Sequence, residues 1–242
     1  MYDRSTKWVQ RQLKGVTIER RAMAPDEVVI VMDTTYFRRL FGVMVWRCPH
    51  RSKNLLWKFL PYETIAAYKD GIERLDGQGW KVRAIVCDGR RGLLQGFSMP
   101  MQMCHFHQAA IVTRYVTRRP KLEAGQNLQS LMRHLPKVGE AQFTLWLALW
   151  YDKWGAFLKE RTTDEITRRW HYTHGRLRSA YYSVKRNLPH LFIYLQHPEL
   201  HIPNTTNSLE GIFTHIKKNM RLHGGLRMHN KLPMIEEFLR GG

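Results

Sequence analysis

Val28-Val29-Ile30-Val31-Met32-Asp33-Thr34-Thr35-Tyr36 is the stretch that decides how the chain folds. It opens with five apolar residues in a row, four of them β-branched. Without alternation, and too short for a buried helix, they predict a strand covered on both faces. Asp33 falls at the expected end of that strand. An ionised carboxylate beside a dry core is costly unless it is paired or holds a cation.

Downstream, Arg38-Arg39 lead into a second strand over residues 40–46. A turn with Pro49, His50 and Arg51 follows, and a third strand covers 55–60. Short polar links among the three predict an antiparallel meander. From Glu63 the apolar period turns helical, with Ile65, Tyr68, Ile72 and Leu75 on one face and a stop at Gly77-Gln78-Gly79. Residues 81–87 read as a fourth strand, expected beside the first and ending in Asp88-Gly89. A short helix over 90–97, a fifth strand over 99–104 and a basic helix over 106–117 complete this part. Residues 121–200 carry helical spacing over 122–135, 143–158 and 166–184, which predicts a helical insertion. Trp146, Trp150 and Trp154, at i, i+4 and i+8, read as core rather than as a platform for unpaired bases.

A helix with a marked entrance follows, Asn207-Ser208-Leu209-Glu210-Gly211-Ile212-Phe213-Thr214-His215-Ile216-Lys217-Lys218-Asn219-Met220-Arg221. Leu209, Ile212, Phe213, Ile216 and Met220 form its apolar stripe. Glu210, Thr214, Lys217 and Arg221 share the face beside it. Asn207 is the expected N-cap, with Glu210 as its capping-box partner. A last helix is expected over 231–239. Three antiparallel strands, a helix, further α/β elements, an insertion and a late helix predict an α/β fold of ribonuclease-H-like order. The sheet is expected to be mixed, three antiparallel strands plus parallel ones, and the insertion comes before the last catalytic helix. The domain reading is 1–25 as the remnant of an N-terminal DNA-binding region, 26–120 as the first part of a catalytic domain, 121–200 as the insertion, and 201–242 as the catalytic helix and the end of that domain. Within 1–25, residues 6–13 can form a short helix, either a leftover of a helix-turn-helix or a plain arm.

The charge balance points to the partner. Lys and Arg number 39 against 20 Asp and Glu, a formal charge of +19 with a pI near 10.2. A domain that basic repels itself unless it meets a polyanion, nucleic acid being the commonest. Three cysteines, Cys48, Cys87 and Cys104, without a CxxC pair, argue against a disulfide scaffold and a complete zinc ribbon. No signal peptide and no membrane span are read, so a cytoplasmic, nucleoid-associated setting is expected.

Asp33 and Asp88 at neighbouring strand ends, joined by Glu210 from a late helix, would make a set of oxygen ligands for Mg²⁺ or Mn²⁺. Two such ions, about 3.5–4 Å apart, stabilise both oxygens of a phosphodiester displacement. Each residue also has an ordinary structural reading: Asp33 capping the Thr34-Thr35 turn, Asp88-Gly89 as a plain turn, Glu210 as a cap.

The segments Met32-Asp33-Thr34-Thr35-Tyr36-Phe37, Ile85-Val86-Cys87-Asp88-Gly89-Arg90-Arg91-Gly92-Leu93, Met103-Cys104-His105-Phe106-His107-Gln108 and Asn204-Thr205-Thr206-Asn207-Ser208-Leu209-Glu210-Gly211 together resemble the DDE transposases of bacterial insertion sequences. The resemblance is to the Mutator-type group, in its variant with an N-terminal zinc-binding segment. Residues 217–226 agree as well, and the likeness covers about residues 28–239. It implies Asp33, Asp88 and Glu210 as catalytic metal ligands for two ions, double-stranded DNA as substrate, and a homodimer or larger assembly on it. Lys217, Lys218 and Arg221, with Arg114, Arg118 and Arg119, are the expected phosphate contacts. The family's Cys-x-x-His signature matches Cys104 and His107. Two ligands cannot close a zinc site, so the pair reads either as a core cysteine with a hydrogen-bonded histidine or as part of the active site. The relatives' zinc-binding element and most of their helix-turn-helix are missing, so the chain reads as N-terminally truncated. The alternatives are an inactive remnant that only binds DNA, and a ribonuclease-H-like nuclease or resolvase.

Overall fold

The computed structural model describes Trp8 and residues 23–38, 40–90 and 92–241. The helix expected over 6–13, and any helix-turn-helix remnant, lie outside the described residues apart from Trp8. A five-stranded mixed sheet has the order β3-β2-β1-β4-β5. It is built from β1 (Glu27–Phe37), β2 (Phe41–Cys48), β3 (Lys53–Leu60), β4 (Lys81–Cys87) and β5 (Met101–Met103). The first three strands form the expected antiparallel meander. β4 runs parallel to β1, and β5 parallel to β4.

The two-residue period of β1 divides the core. Val28, Ile30 and Met32 face one side with Met44 and Trp46 of β2. There they meet helix α1 (Ile65–Gly77) through Tyr68, Ile72 and Leu75. Gly71 lets α1 approach this closely, because a Cβ there would overlap the buried Trp46 ring. Val29 and Val31 face the other side with Val43, Val45, Ala84 and Val86. This second face is covered by α7 (Asn207–Leu222) through Leu209, Phe213 and Ile216, and by α8 (Met228–Gly241) through Ile235 and Leu239. Each large side chain so buried stabilises by about 1.5–3 kcal/mol.

Between β5 and α7 lie α2 (His105–Val116), α3 (Glu123–His134), α4 (Glu140–Trp154), the short β6 (Arg161–Thr163) and β7 (Trp170–Tyr172), α5 (Gly175–Asn187) and the single turn α6 (Ile193–Gln196). Leu128, Phe143, Leu147 and Leu177 join the same core as the sheet's α1 face. Of the three expected core tryptophans, Trp150 is buried, stacks on Tyr181 and donates its indole N–H to the Ala124 carbonyl. Trp146 and Trp154 are half-buried.

Four expectations are corrected. Asp33 does not end its strand: β1 continues to Phe37, because β2 keeps pairing with it through Thr34–Phe37 after β4 has stopped at Val31↔Val86. The described residues of 90–97 form no helix; two tight turns, Leu93 N–H to the Arg90 carbonyl and Gly96 N–H to the Leu93 carbonyl, are found there, with Gly92 at φ 82°. The helix expected over 166–184 begins only at Gly175, and the residues before it form the β6–β7 hairpin. The helix cap is Thr206, not Asn207, and no side-chain cap bond forms, so Glu210 is not a capping-box residue. Among the described residues, no helix is long and apolar enough to cross a membrane.

Candidate functional site

Asp33 sits where the sheet opens, on the segment of β1 that β4 no longer pairs. By the strand period it belongs with Val29 and Val31 on the α7 face, and Asp88 follows directly on Cys87, the last residue of β4. Cys104 is fixed at the start of α2 by its N–H bond to the Cys87 carbonyl (2.9 Å), and the His105 N–H bonds the Asn204 carbonyl (2.9 Å). The entrances of α2 and α7 are therefore held together beside the ends of β1 and β4.

At this junction His107 Nε2 lies 3.6 Å from Glu210 Oε1 and 4.0 Å from Asp33 Oδ2. One ligand atom from each of Asp33, His107 and Glu210 lies within 4.8 Å of the others. Asp88 is outside that group. Its Oδ1 accepts the Arg90 backbone N–H at 3.2 Å, and its charge is felt at both Asp33 and His107. A Cβ on the neighbouring Gly89 would meet the Met103 thioether at 2.6–2.8 Å, so a larger residue there would require the Met103 side chain to shift. The structure thus brings two of the three expected carboxylates together around a histidine, with the third close by.

Thr206, fully buried, ties the group together. Its N–H donates to Cys104 Sγ (3.3 Å), and its hydroxyl lies 3.4 Å from both Cys104 Sγ and His107 Nδ1. Burial drives the Asp33 carboxyl from 3.8 up to about 7, against the charge of His107 and the Thr34 N–H bond (2.8 Å), while the charges of Asp88 and Glu210 push it further up. Burial opposes a charged His107, yet the hydrogen bond and charge of Cys104, then Asp33 and Asp88, lift it to about 9. Burial also opposes a Cys104 thiolate, but bonds from His107 and Thr206 and the charge of His107 outweigh it, and the thiol ends below its ordinary value. At neutral pH, then, a protonated His107 stands beside Asp33, whose carboxyl is near the midpoint of its own ionisation, and fills the role of a counter-ion.

The donor set fits a divalent cation. The Asp33 side chain is only 11% exposed and costly to ionise without positive charge beside it, while the Glu210 side chain is 40% exposed, leaving an approach from solvent. Carboxylate oxygens suit Mg²⁺ and Mn²⁺; His107 would add an imidazole ligand only on losing its proton.

A layer unanticipated from the sequence supports the carboxylates. The Tyr68 hydroxyl donates to Glu63 Oε1 (2.7 Å) and lies 3.0 Å from Thr34 Oγ1. Arg90 pairs with Glu63 Oε2 (2.8 Å) and donates to the Glu63 carbonyl (2.7 Å). Glu63 had appeared only as the residue where helical spacing begins, and nothing in the spacing marks Thr206 as a tether. The Cys104-x-x-His107 signature was visible, but not where its histidine points.

Two clefts lie along the elements that carry the site residues. One, of about 510 Å³, has Tyr36, Phe37 and Phe41 among its lining and is bordered by Arg38, Lys217, Arg221 and Lys231. The other, about 590 Å³, follows α2 past Phe106, Ala109 and Thr113 to Arg114 and Arg118. Of the expected phosphate contacts, Lys217, Arg221, Arg114 and Arg118 line these clefts; Lys218 and Arg119 are exposed and line neither. Farther off, Arg161 stacks on Trp170 (4.0 Å) and Tyr172 (5.6 Å), and Arg178 on Tyr172 (4.1 Å) and Tyr182 (4.6 Å). This ladder fastens the β6–β7 hairpin to α5. The chain matches no protein-family model and no curated protein.

Proposed function

We propose that the chain is a DNA transposase of the DDE type, acting through divalent-cation-dependent phosphoryl transfer on a ribonuclease-H-like sheet. The observation that carries this reading is the meeting of Asp33 and Glu210. They lie 177 positions apart by number, yet converge on His107, with Asp88 just past the end of the neighbouring strand β4. The strand order, with three antiparallel strands and two parallel ones, supports the ribonuclease-H-like reading. The motif resemblance to Mutator-type insertion-sequence transposases supports the particular chemistry.

Asp33, Asp88 and Glu210 would hold two Mg²⁺ or Mn²⁺ ions. Bound there, such ions supply Lewis-acid stabilisation of the oxygens in a phosphodiester displacement. The chain's own residues do the rest. Thr34 N–H and Arg90 N–H each grip one oxygen of Asp33 and Asp88, leaving the others free. His107 neutralises the carboxylates before a cation arrives, and Thr206 and Cys104 hold its ring in place. Lys217 and Arg221 on one side, Arg114 and Arg118 on the other, neutralise backbone phosphates of a duplex laid across the site. The +19 charge suits a polyanionic substrate, and two copies of the chain would handle the two ends of an element.

The test is Mn²⁺- or Mg²⁺-dependent nicking of a duplex carrying the inverted repeats that flank the coding sequence, followed by strand transfer to a second duplex. Asp33→Asn and Glu210→Gln should abolish both steps while leaving duplex binding intact. Cleavage that survives Asp33→Asn would refute the site. Nicking without transfer would favour a nuclease or resolvase, and binding without reaction under any metal would favour a DNA-binding remnant.

A further inference from the structure

Two half-buried acids, Glu63 and Asp88, both have Arg90 as a hydrogen-bond partner. Arg90 follows Asp88 by two residues, and its backbone N–H already touches Asp88 Oδ1 at 3.2 Å. Its side chain is turned away and doubly held by Glu63, through Oε2 at 2.8 Å and the carbonyl at 2.7 Å. The Glu63 side chain is only 13% exposed and accepts the Tyr68 hydroxyl at 2.7 Å. Tyr68, in turn, reaches Thr34, whose N–H holds Asp33. A guanidinium released so near Asp88 has an obvious alternative partner, since arginine pairs bidentately with carboxylates. The nearness of the two acids is visible in Glu63 itself: burial raises its carboxyl first, and the Asp88 charge adds to that.

We propose that Glu63 is a positioning residue that sequesters Arg90, keeping its guanidinium off Asp88 so that this carboxylate stays free for a divalent cation. The proposal rests on the cation-site reading above and adds an internal competitor to it. Without the Glu63 charge, Arg90 pairs with Asp88 and the cation must displace it. Glu63 does not touch substrate or cation in this scheme; it acts through Arg90. Glu63 also ties the segment after β4 to β1, through Arg90 on one side and through Tyr68 to Thr34 on the other.

Mn²⁺ binding to the full chain, measured by calorimetry and by loss of the free-ion electron-spin signal, tests this without any activity assay. Glu63→Gln keeps an acceptor for Tyr68 but removes the charge, and it should weaken Mn²⁺ binding about tenfold, ~1.4 kcal/mol. Arg90→Gln should bind at least as tightly as the wild type, and the double substitution should return to the Arg90→Gln value. Unchanged affinity in Glu63→Gln overturns the proposal. So does a double variant as weak as Glu63→Gln, because a merely structural role would not be rescued by removing Arg90. If Glu63→Gln does not fold, Arg90→Gln alone decides, and an affinity below wild type overturns the proposal. A wild-type chain that binds no Mn²⁺ at all sinks the cation site itself, and this proposal with it.

Discussion

An aspartate in the middle of β1 has neighbours that disfavour its charge, and its carboxyl titrates near 7 rather than 3.8. In the unfolded chain it is ionised above pH 3.8; in the folded chain it stays protonated until about 7. Folding therefore takes up a proton between these values, and the stability this group contributes is fully present below 3.8 and lost as pH rises to about 7. Above that, the ionised carboxylate costs on the order of 2–4 kcal/mol. Asp33→Asn, unfolded with urea in the presence of a chelator, should gain stability over the wild type at pH 8 and much less at pH 4. A loss at pH 8 would contradict the burial argument. A divalent cation offsets the same penalty, so Mn²⁺ should raise the wild-type melting temperature and leave Glu210→Gln nearly unmoved. Asp33, Asp88 and Glu210 were legible in the sequence because each stands at a recognisable boundary of an apolar pattern. His107 was legible only as half of a Cys-x-x-His signature, because its meeting with Asp33 and Glu210 depends on how α2 docks. Glu63 and Thr206 left no signal, since their partners lie 5–27 and 99–102 positions away.

Among the elements, β1 to β4 with α1, α2 and α7 follow from apolar periodicity, and α7 shows how a local rule yields to tertiary contact. Asn207 and Glu210 have capping-box spacing, but Thr206 is drawn into the Cys104–His107 contact and becomes the cap, so the helix starts one residue earlier than that spacing predicts and Glu210 falls beyond the capping-box position. The β6–β7 hairpin defeated a helical reading because Ile166, which appeared to begin an apolar helix face, is 93% exposed. Asp164 instead caps the turn through the Ile166 and Thr167 N–H groups. Arg178→Ala removes the rung between Tyr172 and Tyr182. At about 0.5–1 kcal/mol per exposed cation–π contact, amide exchange in residues 161–172 should quicken several-fold while the sheet is unaffected. Equal protection in both forms would mean that the ladder does not hold the hairpin. Gly71→Ala, by contrast, forces a methyl into the fully buried Trp46 ring. It should lower the unfolding free energy by about 1–3 kcal/mol, read as a lower denaturation midpoint with an unchanged slope; a neutral result would mean that α1 can slide.

Over the whole molecule, the excess positive charge was readable from composition, but its arrangement was not. Lys217 and Arg221 line one cleft and Arg114 and Arg118 another, and the proposed duplex path uses both. Replacing Lys217 or Arg114 with glutamine should weaken duplex binding about equally for all sequences and reduce the slope of log affinity against log salt by about one. An unchanged slope would place the duplex elsewhere. The central claim is that Asp33, Asp88 and Glu210 serve one cation-binding site, although Asp88 stands outside the tight Asp33–His107–Glu210 group. Anomalous diffraction from crystals of the full chain soaked in Mn²⁺ tests it most directly. The expected result is bound Mn²⁺ about 2.1 Å from oxygens of Asp33 and Glu210, with Asp88 moved in as a further ligand. Mn²⁺ bound elsewhere, or an ion on Asp33 and Glu210 that Asp88 does not join, would contradict it.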